Sequence, residues 1–198
     1  KRLLAEGACV LITDIEEAAL EEAKAALSKE HGKDRVRAFR CDVTDEVSVR
    51  GSYAYALREV GGLDILVSNA GIASAAPVEE TSLEVWSRNL GILATGYFLV
   101  SRDAFALMKR QGIGGSIVFI GSKNALVASG GASAYCSAKA AATHLARCLA
   151  LEGAEVGVRA NVVNPDAVIR GSRIWGGTWR AERAASNEIT DAEIEDFY

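Results

Sequence analysis

The sequence has few of the residues that build metal sites and disulfides. Among 198 residues it has two histidines, one methionine and four cysteines, which are Cys9, Cys41, Cys136 and Cys148. No two cysteines form a CxxC pair, and His31 and His144 lie far apart without ligand-spaced partners. We therefore expect no metal site. Unpaired, reduced thiols are typical of the cytoplasm, where we expect this protein to reside.

Proline is also scarce, the net charge is negative, and long apolar runs are few. With two prolines, no repeat and no low-complexity segment, the sequence predicts a single domain over residues 1–198. The formal net charge of −4 argues against nucleic acid or an anionic membrane as a partner. No uninterrupted apolar run reaches the roughly 18 residues that a bilayer-spanning helix needs.

Strand-like and helix-like segments alternate along the chain. Short, nearly all-apolar runs occupy 8–13, 35–39, 63–67, 116–121 and 158–163. Helical periodicity occupies 16–30, 44–60, 83–110 and 134–152, and the polar tail at 171–198 holds one or two further helices. Apolar strands between helices are typical of a parallel sheet covered on both faces. The sequence therefore predicts an α/β fold, a doubly wound parallel sheet of the Rossmann type.

The first two strands end on acidic residues. Asp14 follows the first strand directly, and Asp42 with Val43 closes the second. Ligands of an open parallel sheet bind beyond the carboxyl ends of its strands. There Asp14 can accept both ribose hydroxyls of an adenosine and would repel a 2′-phosphate, while Asp42 and Val43 suit an adenine edge. The structural alternatives are an N-cap at Asp14 and a plain turn at Asp42.

The next two strands end on small and hydroxyl residues. Asn69, Ala70 and Gly71 follow the third strand, and their small side chains let a ligand approach the backbone closely. A simple turn is the alternative interpretation of these three residues. The fourth strand ends at Ser122, which places a hydroxyl at the same edge of the sheet.

Tyr135 and Lys139 lie four residues apart on a predicted helix, thirteen residues after Ser122. That spacing stacks both side chains on one helix face. A cation beside a phenol favours the phenolate, so we expect the pKa of Tyr135 to fall toward the range of a proton-transfer catalyst. Taken alone, a YxxxK pair also arises by chance on an Ala-rich helix.

The order of these features resembles the short-chain dehydrogenase/reductase family over nearly the whole chain. The resemblance implies hydride transfer between NAD, rather than NADP, and a small alcohol or carbonyl substrate such as a hydroxyaldehyde, polyol or sugar derivative. It implies that Tyr135 is the general acid/base, that Lys139 lowers its pKa, and that Ser122 orients the substrate. The cofactor-binding residues that it implies are Asp14, Ile15, Asp42, Val43, Asn69, Ala70, Gly71, Tyr135, Lys139, Pro165 and Val168.

The chain departs from the family pattern at its two ends, on its long helix and at Asp166, where many relatives have glycine. The Gly-rich TGxxxGxG turn and the first, central strand of the family are not in the sequence, and a last strand is also missing, so we expect truncation at both ends. Strands 8–13 and 63–67 would then face a gap with unpaired backbone groups. The asparagine that the family carries on its long helix aligns with Leu93. Asn89, one turn earlier, is a candidate substitute, and a solvated or helix-packing asparagine is the alternative.

Segments 122–125 and 164–175 are similar to the dehydrogenase half of bifunctional rhamnulose-phosphate aldolase/alcohol dehydrogenases. Lys123, Arg170 and Arg173 are candidates for binding an anionic or polyhydroxylated substrate, and solvated surface charge is the alternative. The apolar helices 83–110 and 134–152 predict the interface of a homodimer or homotetramer, unless internal packing alone explains their composition.

Two other functions stay open at this point. The chain could be a non-catalytic Rossmann-fold protein that binds a nucleotide or serves as a scaffold, which the missing glycine loop and Leu93 favour. It could also be a nucleotide-sugar epimerase, which uses tyrosine and lysine as well. Ser122, Tyr135 and Lys139 together favour the oxidoreductase, because a scaffold has no need of all three.

Overall fold

A computed structural model of the protein describes residues 1–169, 171–172, 174–176 and 178–197. The strands are β1 (Val10–Asp14), β2 (Val36–Arg40), β3 (Ile65–Ser68), β4 (Gly115–Ile120) and β5 (Val158–Val163). The helices are α1 (Arg2–Ala5), α2 (Glu17–His31), α3 (Glu46–Val60), α4 (Leu83–Leu90), α5 (Gly96–Gln111), α6 (Ser133–Gly153), α7 (Thr178–Ser186) and α8 (Ile194–Phe197). The predicted alternation of strands and helices is confirmed, with boundaries that differ by a few residues.

All strand pairs are parallel, as predicted, and they form two sheets. One sheet pairs β1 with β2, and the other has the order β3-β4-β5. Ile117 of β4 lies opposite Ala160 of β5, and Val10 of β1 lies opposite Val36 of β2. Within the described part of the chain, β1 and β3 are not hydrogen-bonded to each other. The α/β fold class is therefore confirmed, and β1 and β3 belong to different sheets.

The long apolar helix of the sequence forms as one continuous helix from position 83 to 111. Helix α4 passes through a π-helical turn, Gly91–Thr95, directly into α5. Gly112, with φ 72°, ends it in the left-handed conformation that glycine tolerates best. Its length and composition alone would suit a bilayer-crossing helix. Here Tyr97, Ala104 and Met108 are buried in the protein, so it is a core helix.

The main core joins the three-stranded sheet to α5 and α6. Its buried residues are Tyr97, Met108, Ile117, Phe119, Ala142, Ala146, Leu149 and Val158. Helix α6 ends tightly against β5, since a Cβ added at Gly153 would lie 2.1 Å from the Val158 carbonyl oxygen. The core thereby fixes the N-terminal half of α6, with its polar side chains, beside the carboxyl end of β4.

Candidate active site

Ser122 lies where β4 ends, and a neighbouring strand holds it there. A Cβ at Gly121 would clash with the side-chain oxygen of Asn164, so a larger residue there would displace the Asn164 side chain. The same Asn164 oxygen accepts a hydrogen bond from the Ser122 backbone N–H at 3.1 Å. The Ser122 side chain is buried, and its Oγ accepts from the Asn124 N–H at 3.2 Å. Asn164 therefore locks the ends of β4 and β5 together.

Tyr135 lies in the first turns of α6 and faces inward, with 9% of its surface exposed. Burial raises the pKa of Tyr135 above its ordinary value, and a hydrogen bond with Ser122 acts in the opposite direction. The expectation that the pKa of Tyr135 falls below its ordinary value is therefore wrong for this structure. Desolvation of the phenolate outweighs its stabilisation by the Ser122 hydrogen bond.

Lys139 is 5% exposed, and its ammonium makes two hydrogen bonds away from the Tyr135 hydroxyl. Its Nζ donates to the Ile120 carbonyl oxygen at 2.7 Å and to the Tyr97 hydroxyl oxygen at 3.3 Å. The Tyr135 ring centroid is 6.0 Å from Nζ. Burial lowers the pKa of Lys139 to about 8, so the side chain is mostly charged at neutral pH.

Tyr97 is a site-adjacent residue that the sequence reasoning missed. It is fully buried, and its hydroxyl donates to the Ile120 carbonyl oxygen at 2.8 Å. The available signal was its spacing, because Tyr97 follows Leu93 by four residues and so shares its helix face. Leu93 itself is buried against Tyr135 and Ala138.

Asn89 does not take part in the site. Its Nδ2 donates to the Ser74 hydroxyl and to the Val85 carbonyl, both at 2.8 Å. The side chain is buried away from the cavity described below, and its Oδ1 has no hydrogen-bond partner in the described chain. The structure therefore favours a helix-packing asparagine over a substitute at the site.

A cavity of about 670 Å³ opens at the carboxyl ends of the strands. It brings together every residue that the sequence predicted for catalysis or cofactor binding. These residues are Asp14, Ile15, Asp42, Val43, Asn69, Ala70, Gly71, Ser122, Tyr135, Lys139, Pro165 and Val168. The two strand-end acids and the Ser-Tyr-Lys group thus face the same space, while their individual roles stay predictions.

The acidic end of the cavity is built from local turns. Asp14 is exposed, and its Oδ1 accepts from the Glu16 N–H at 2.9 Å. The Oδ1 of Asp42 accepts from the backbone N–H and the hydroxyl of Thr44, at 2.8 and 2.7 Å. Asp14 is not the N-cap of α2, since Glu16 holds that position. These turn bonds engage one oxygen of each carboxylate and leave the other for a ligand hydroxyl or amine.

Aromatic residues of the C-terminal segment close the other end of the cavity. The Trp179 ring lies 6.0 Å from the Tyr135 ring and 6.4 Å from the Trp175 ring, measured between centroids. The Arg183 guanidinium carbon is 5.4 Å from the centre of the Trp179 ring. All four side chains line the cavity. The sequence reasoning had not assigned either tryptophan to the site.

The three basic candidates for substrate binding have different outcomes. Lys123 lines the cavity and forms an ion pair with Asp166. Arg170 and Arg173 lie outside the described residues. The paired Lys123 is therefore the one candidate of the three that the structure places at the cavity.

Comparison with known proteins identifies the family to which the chain belongs. The family described as short chain dehydrogenase matches residues 1–173. The uncharacterized oxidoreductase YuxG of Bacillus subtilis (strain 168) is 48% identical over 198 residues, which are 100% of this chain and 29% of YuxG. D-threitol dehydrogenase of Mycolicibacterium smegmatis (strain ATCC 700084 / mc(2)155) is 36% identical over 174 residues, which are 87% of this chain and 66% of that enzyme.

The fold comparison agrees with the sequence comparison. The crystal structure of sorbitol-6-phosphate 2-dehydrogenase SrlD from Erwinia amylovora matches with a TM-score of 0.92 and 31% sequence identity. The match covers 100% of this chain and 76% of that one. The chain spans under a third of YuxG and just under two thirds of D-threitol dehydrogenase. With the family match over residues 1–173 and the strand-end site in place, the chain belongs to the short-chain dehydrogenase family.

Proposed function

We propose that this chain is the catalytic domain of an NAD-dependent oxidoreductase that interconverts a small polyol or hydroxyaldehyde and its carbonyl counterpart. The observation that carries the proposal is the convergence of buried Ser122, Tyr135 and Lys139 on a cavity whose far end holds Asp14. A hydroxyl, a phenol and a buried ammonium at one point are suited to moving a proton to or from a substrate oxygen.

The residues that line the cavity fit NAD. At the acidic end, the second oxygen of Asp14 would accept from ribose hydroxyls, and its charge would disfavour a 2′-phosphate. Asp42 and Val43 would flank the adenine, and Lys139 would hold the second ribose. When bound, NAD supplies the hydride acceptor for alcohol oxidation, and its reduced form supplies the hydride for carbonyl reduction.

The protein side of the reaction is proton transfer at the Tyr135 hydroxyl. Ser122 would hold the substrate oxygen, while Tyr135 removes the hydroxyl proton in oxidation and returns it in reduction. Because burial raises the pKa of Tyr135, the neutral phenol predominates near neutral pH. Neutral phenol is the form that donates a proton, so we expect reduction at neutral pH and faster oxidation as the pH rises.

The aromatic end of the cavity favours a substrate with several hydroxyl groups. Trp175 and Trp179 offer flat apolar surfaces beside Tyr135, on which the C–H faces of a polyol can pack. Arg183 adds positive charge at the same end, which would suit an anionic group on the substrate. The names of two relatives, D-threitol dehydrogenase and sorbitol-6-phosphate 2-dehydrogenase, also point to polyols.

We also propose that the chain corresponds to the dehydrogenase half of a bifunctional aldolase/dehydrogenase. The support is that YuxG, 48% identical, extends far beyond the matched segment, which is 29% of its length. Assaying the full-length protein for cleavage of a ketose 1-phosphate tests this, and absence of cleavage would remove the proposal. We further propose a homodimer or homotetramer, which the exposed Leu83 and Leu151 on α4 and α6 support, and a cytoplasmic location, which the free cysteines support.

A non-catalytic nucleotide-binding protein is the second candidate. The observations that favour it are the apolar Leu93 beside Tyr135 and the raised pKa of that tyrosine. Such a protein would bind NAD and fold stably, but it would not turn over any alcohol or carbonyl compound.

Substitution Tyr135→Phe in the full-length protein separates the two candidates. We expect NADH formation with threitol, sorbitol or lactaldehyde to fall about a thousandfold or more, because the group proposed to transfer the proton is lost. Thermal unfolding and NAD affinity should change little. Tyr55→Phe, on α3 and outside the cavity lining, is the matched control and should keep full activity. Unchanged turnover in Tyr135→Phe would exclude this oxidoreductase mechanism.

A further inference from the structure

The Lys139 ammonium is held in part by the side chain of Tyr97, which has no role in the proposed reaction so far. A lysine ammonium has three N–H donors and no acceptor. Two of them are used within the protein, one by the Ile120 carbonyl at 2.7 Å and one by the Tyr97 hydroxyl at 3.3 Å. One donor therefore stays available for a ligand in the cavity.

Tyr97 is itself fixed in place. Its hydroxyl donates to the same Ile120 carbonyl at 2.8 Å, and its ring packs edge-on against Phe119, with centroids 5.0 Å apart and planes at 85°. Burial raises the pKa of Tyr97, so the hydroxyl stays protonated and donates to Ile120 while it accepts from Lys139. The three groups form a closed triangle at the end of β4.

Packing alone does not account for this hydroxyl. A buried hydroxyl is costly unless it is hydrogen-bonded, and phenylalanine would fill the same core volume without that cost. The Ile120 carbonyl already accepts the shorter bond from Lys139, so it would not be left unsatisfied. The neighbouring Leu93, one turn earlier, offers no polar atom to the ammonium. What the Tyr97 oxygen adds is a second contact that confines Nζ.

We propose that Tyr97 is a positioning residue that, together with the Ile120 carbonyl, confines the Lys139 ammonium so that its remaining donor and its charge face the reacting end of the cavity. This inference rests on the proposed function, because it concerns the group that assists Tyr135. The titratable groups that act on this cluster in the described chain are Tyr97, Tyr135 and the Cys136 thiol beside Tyr135.

The test compares Tyr97→Phe with Tyr53→Phe in the full-length protein. Tyr53 is a matched control because its hydroxyl also donates to a main-chain carbonyl, that of Val100, at 2.6 Å. It lies on α3 and does not line the cavity. Each variant loses one oxygen atom and one hydrogen bond to a main-chain carbonyl, and Tyr97→Phe also loses the bond that Lys139 donates, so both should fold and lose similar stability. Tyr97→Met provides a second hydroxyl-free variant if Tyr97→Phe is poorly folded.

For Tyr97→Phe we expect kcat to fall about tenfold with little change in KM, because the ammonium is less well placed in the transition state. The pH profile of oxidation should move to higher pH by about half a unit or more, since a less confined cation stabilises the Tyr135 phenolate less. Tyr53→Phe should show neither effect. In a Lys139→Met background, Tyr97→Phe should have no further effect on kcat, because Tyr97 acts through Lys139.

Three outcomes are distinguishable. An inactive wild-type protein, or an active Tyr135→Phe variant, would remove the proposed function itself. An active wild type with a Tyr97→Phe variant that matches Tyr53→Phe in kcat and pH profile would overturn only the role of Tyr97. If Tyr97→Phe lowered kcat equally with and without Lys139, the positioning role of Tyr97 would also be overturned, because the substitution would then act through the core and not through Lys139.

Discussion

The two ends of the cavity are built in different ways. At the proposed catalytic end, Ser122, Tyr135 and Lys139 are each less than a tenth exposed, and the strand behind them buries Ile117 and Phe119 completely. At the acidic end, none of the five residues of β1 is buried, and its last residue is exposed. The first end is held by a core and the second by a strand pair at the surface.

The hydrogen bonds of the two ends span different stretches of sequence. Lys139 bonds groups that lie 19 and 42 residues away, whereas Asp14 bonds a backbone N–H two residues away. A side chain that is held in place by long-range packing should lose its function when the core is disturbed. A side chain that is held only by its own turn can be replaced with loss of its function and little loss of stability. The predictions below test this contrast.

The largest expected effect is on the core behind the catalytic end. Phe119→Ala should lower the free energy of unfolding by about 3–5 kcal/mol, because it leaves a cavity between β4, α5 and α6. Activity should fall as well, since β4 positions Ser122. Urea unfolding and initial rates on the same samples measure both. Ile12→Ala in the half-buried β1 is the comparison and should cost only about 1 kcal/mol. If both substitutions lowered the free energy of unfolding equally, the two ends of the cavity would not differ in how the core holds them.

Lys139→Met should separate activity from stability within the catalytic end. We expect kcat to fall about a hundredfold, because the charge that assists Tyr135 is lost. Stability at pH 7 should rise, because the buried ammonium disfavours folding, as its pKa near 8 indicates. A variant with lower stability at pH 7 would show that the two hydrogen bonds of Lys139 outweigh its burial.

The same pKa predicts a pH dependence with a definite sign. Between pH 8 and the ordinary lysine pKa of 10.5, the unfolded state binds more protons than the folded state. The wild type should therefore gain stability relative to Lys139→Met as the pH rises through this window, and the difference should be flat below pH 8. Urea unfolding of both proteins at several pH values measures the difference and cancels the other titrating groups.

The smallest expected effect is at the acidic end. Asp14→Ala should weaken NAD binding about tenfold and reduce the preference for NAD over NADP, because ribose hydroxyls lose a charged acceptor. Its stability should hardly change. Asp45→Ala is the matched control, since the Asp45 side chain also accepts from a backbone N–H two residues on, that of Val47 at 2.9 Å.

Asp45 caps α3 and does not line the cavity, so its loss should cost about 1 kcal/mol of stability and leave NAD affinity unchanged. Calorimetric titration with each cofactor and thermal unfolding give both quantities. If Asp14→Ala bound NAD normally, the turn with Glu16 would be the whole role of this carboxylate.

Local pattern alone determined the order of elements and the set of residues at the strand ends. Apolar runs and helical periodicity are properties of neighbouring residues, and parallel strands bring their carboxyl ends to one edge. For this reason Asp14, Asp42 and Ser122 could be predicted to share a cavity from sequence. The spacing of Tyr135 and Lys139 likewise fixed their common helix face.

Tertiary structure decided the electrostatics and the partners. Whether the pKa of Tyr135 rises or falls depends on how many distant atoms bury it and on where the Lys139 ammonium points, and no local pattern encodes either. The Tyr97 contact joins residues 42 positions apart, and Trp179 reaches Tyr135 from a polar segment without strand or motif signals. Desolvation and hydrogen bonding act through space, so they became visible only once the chain was folded.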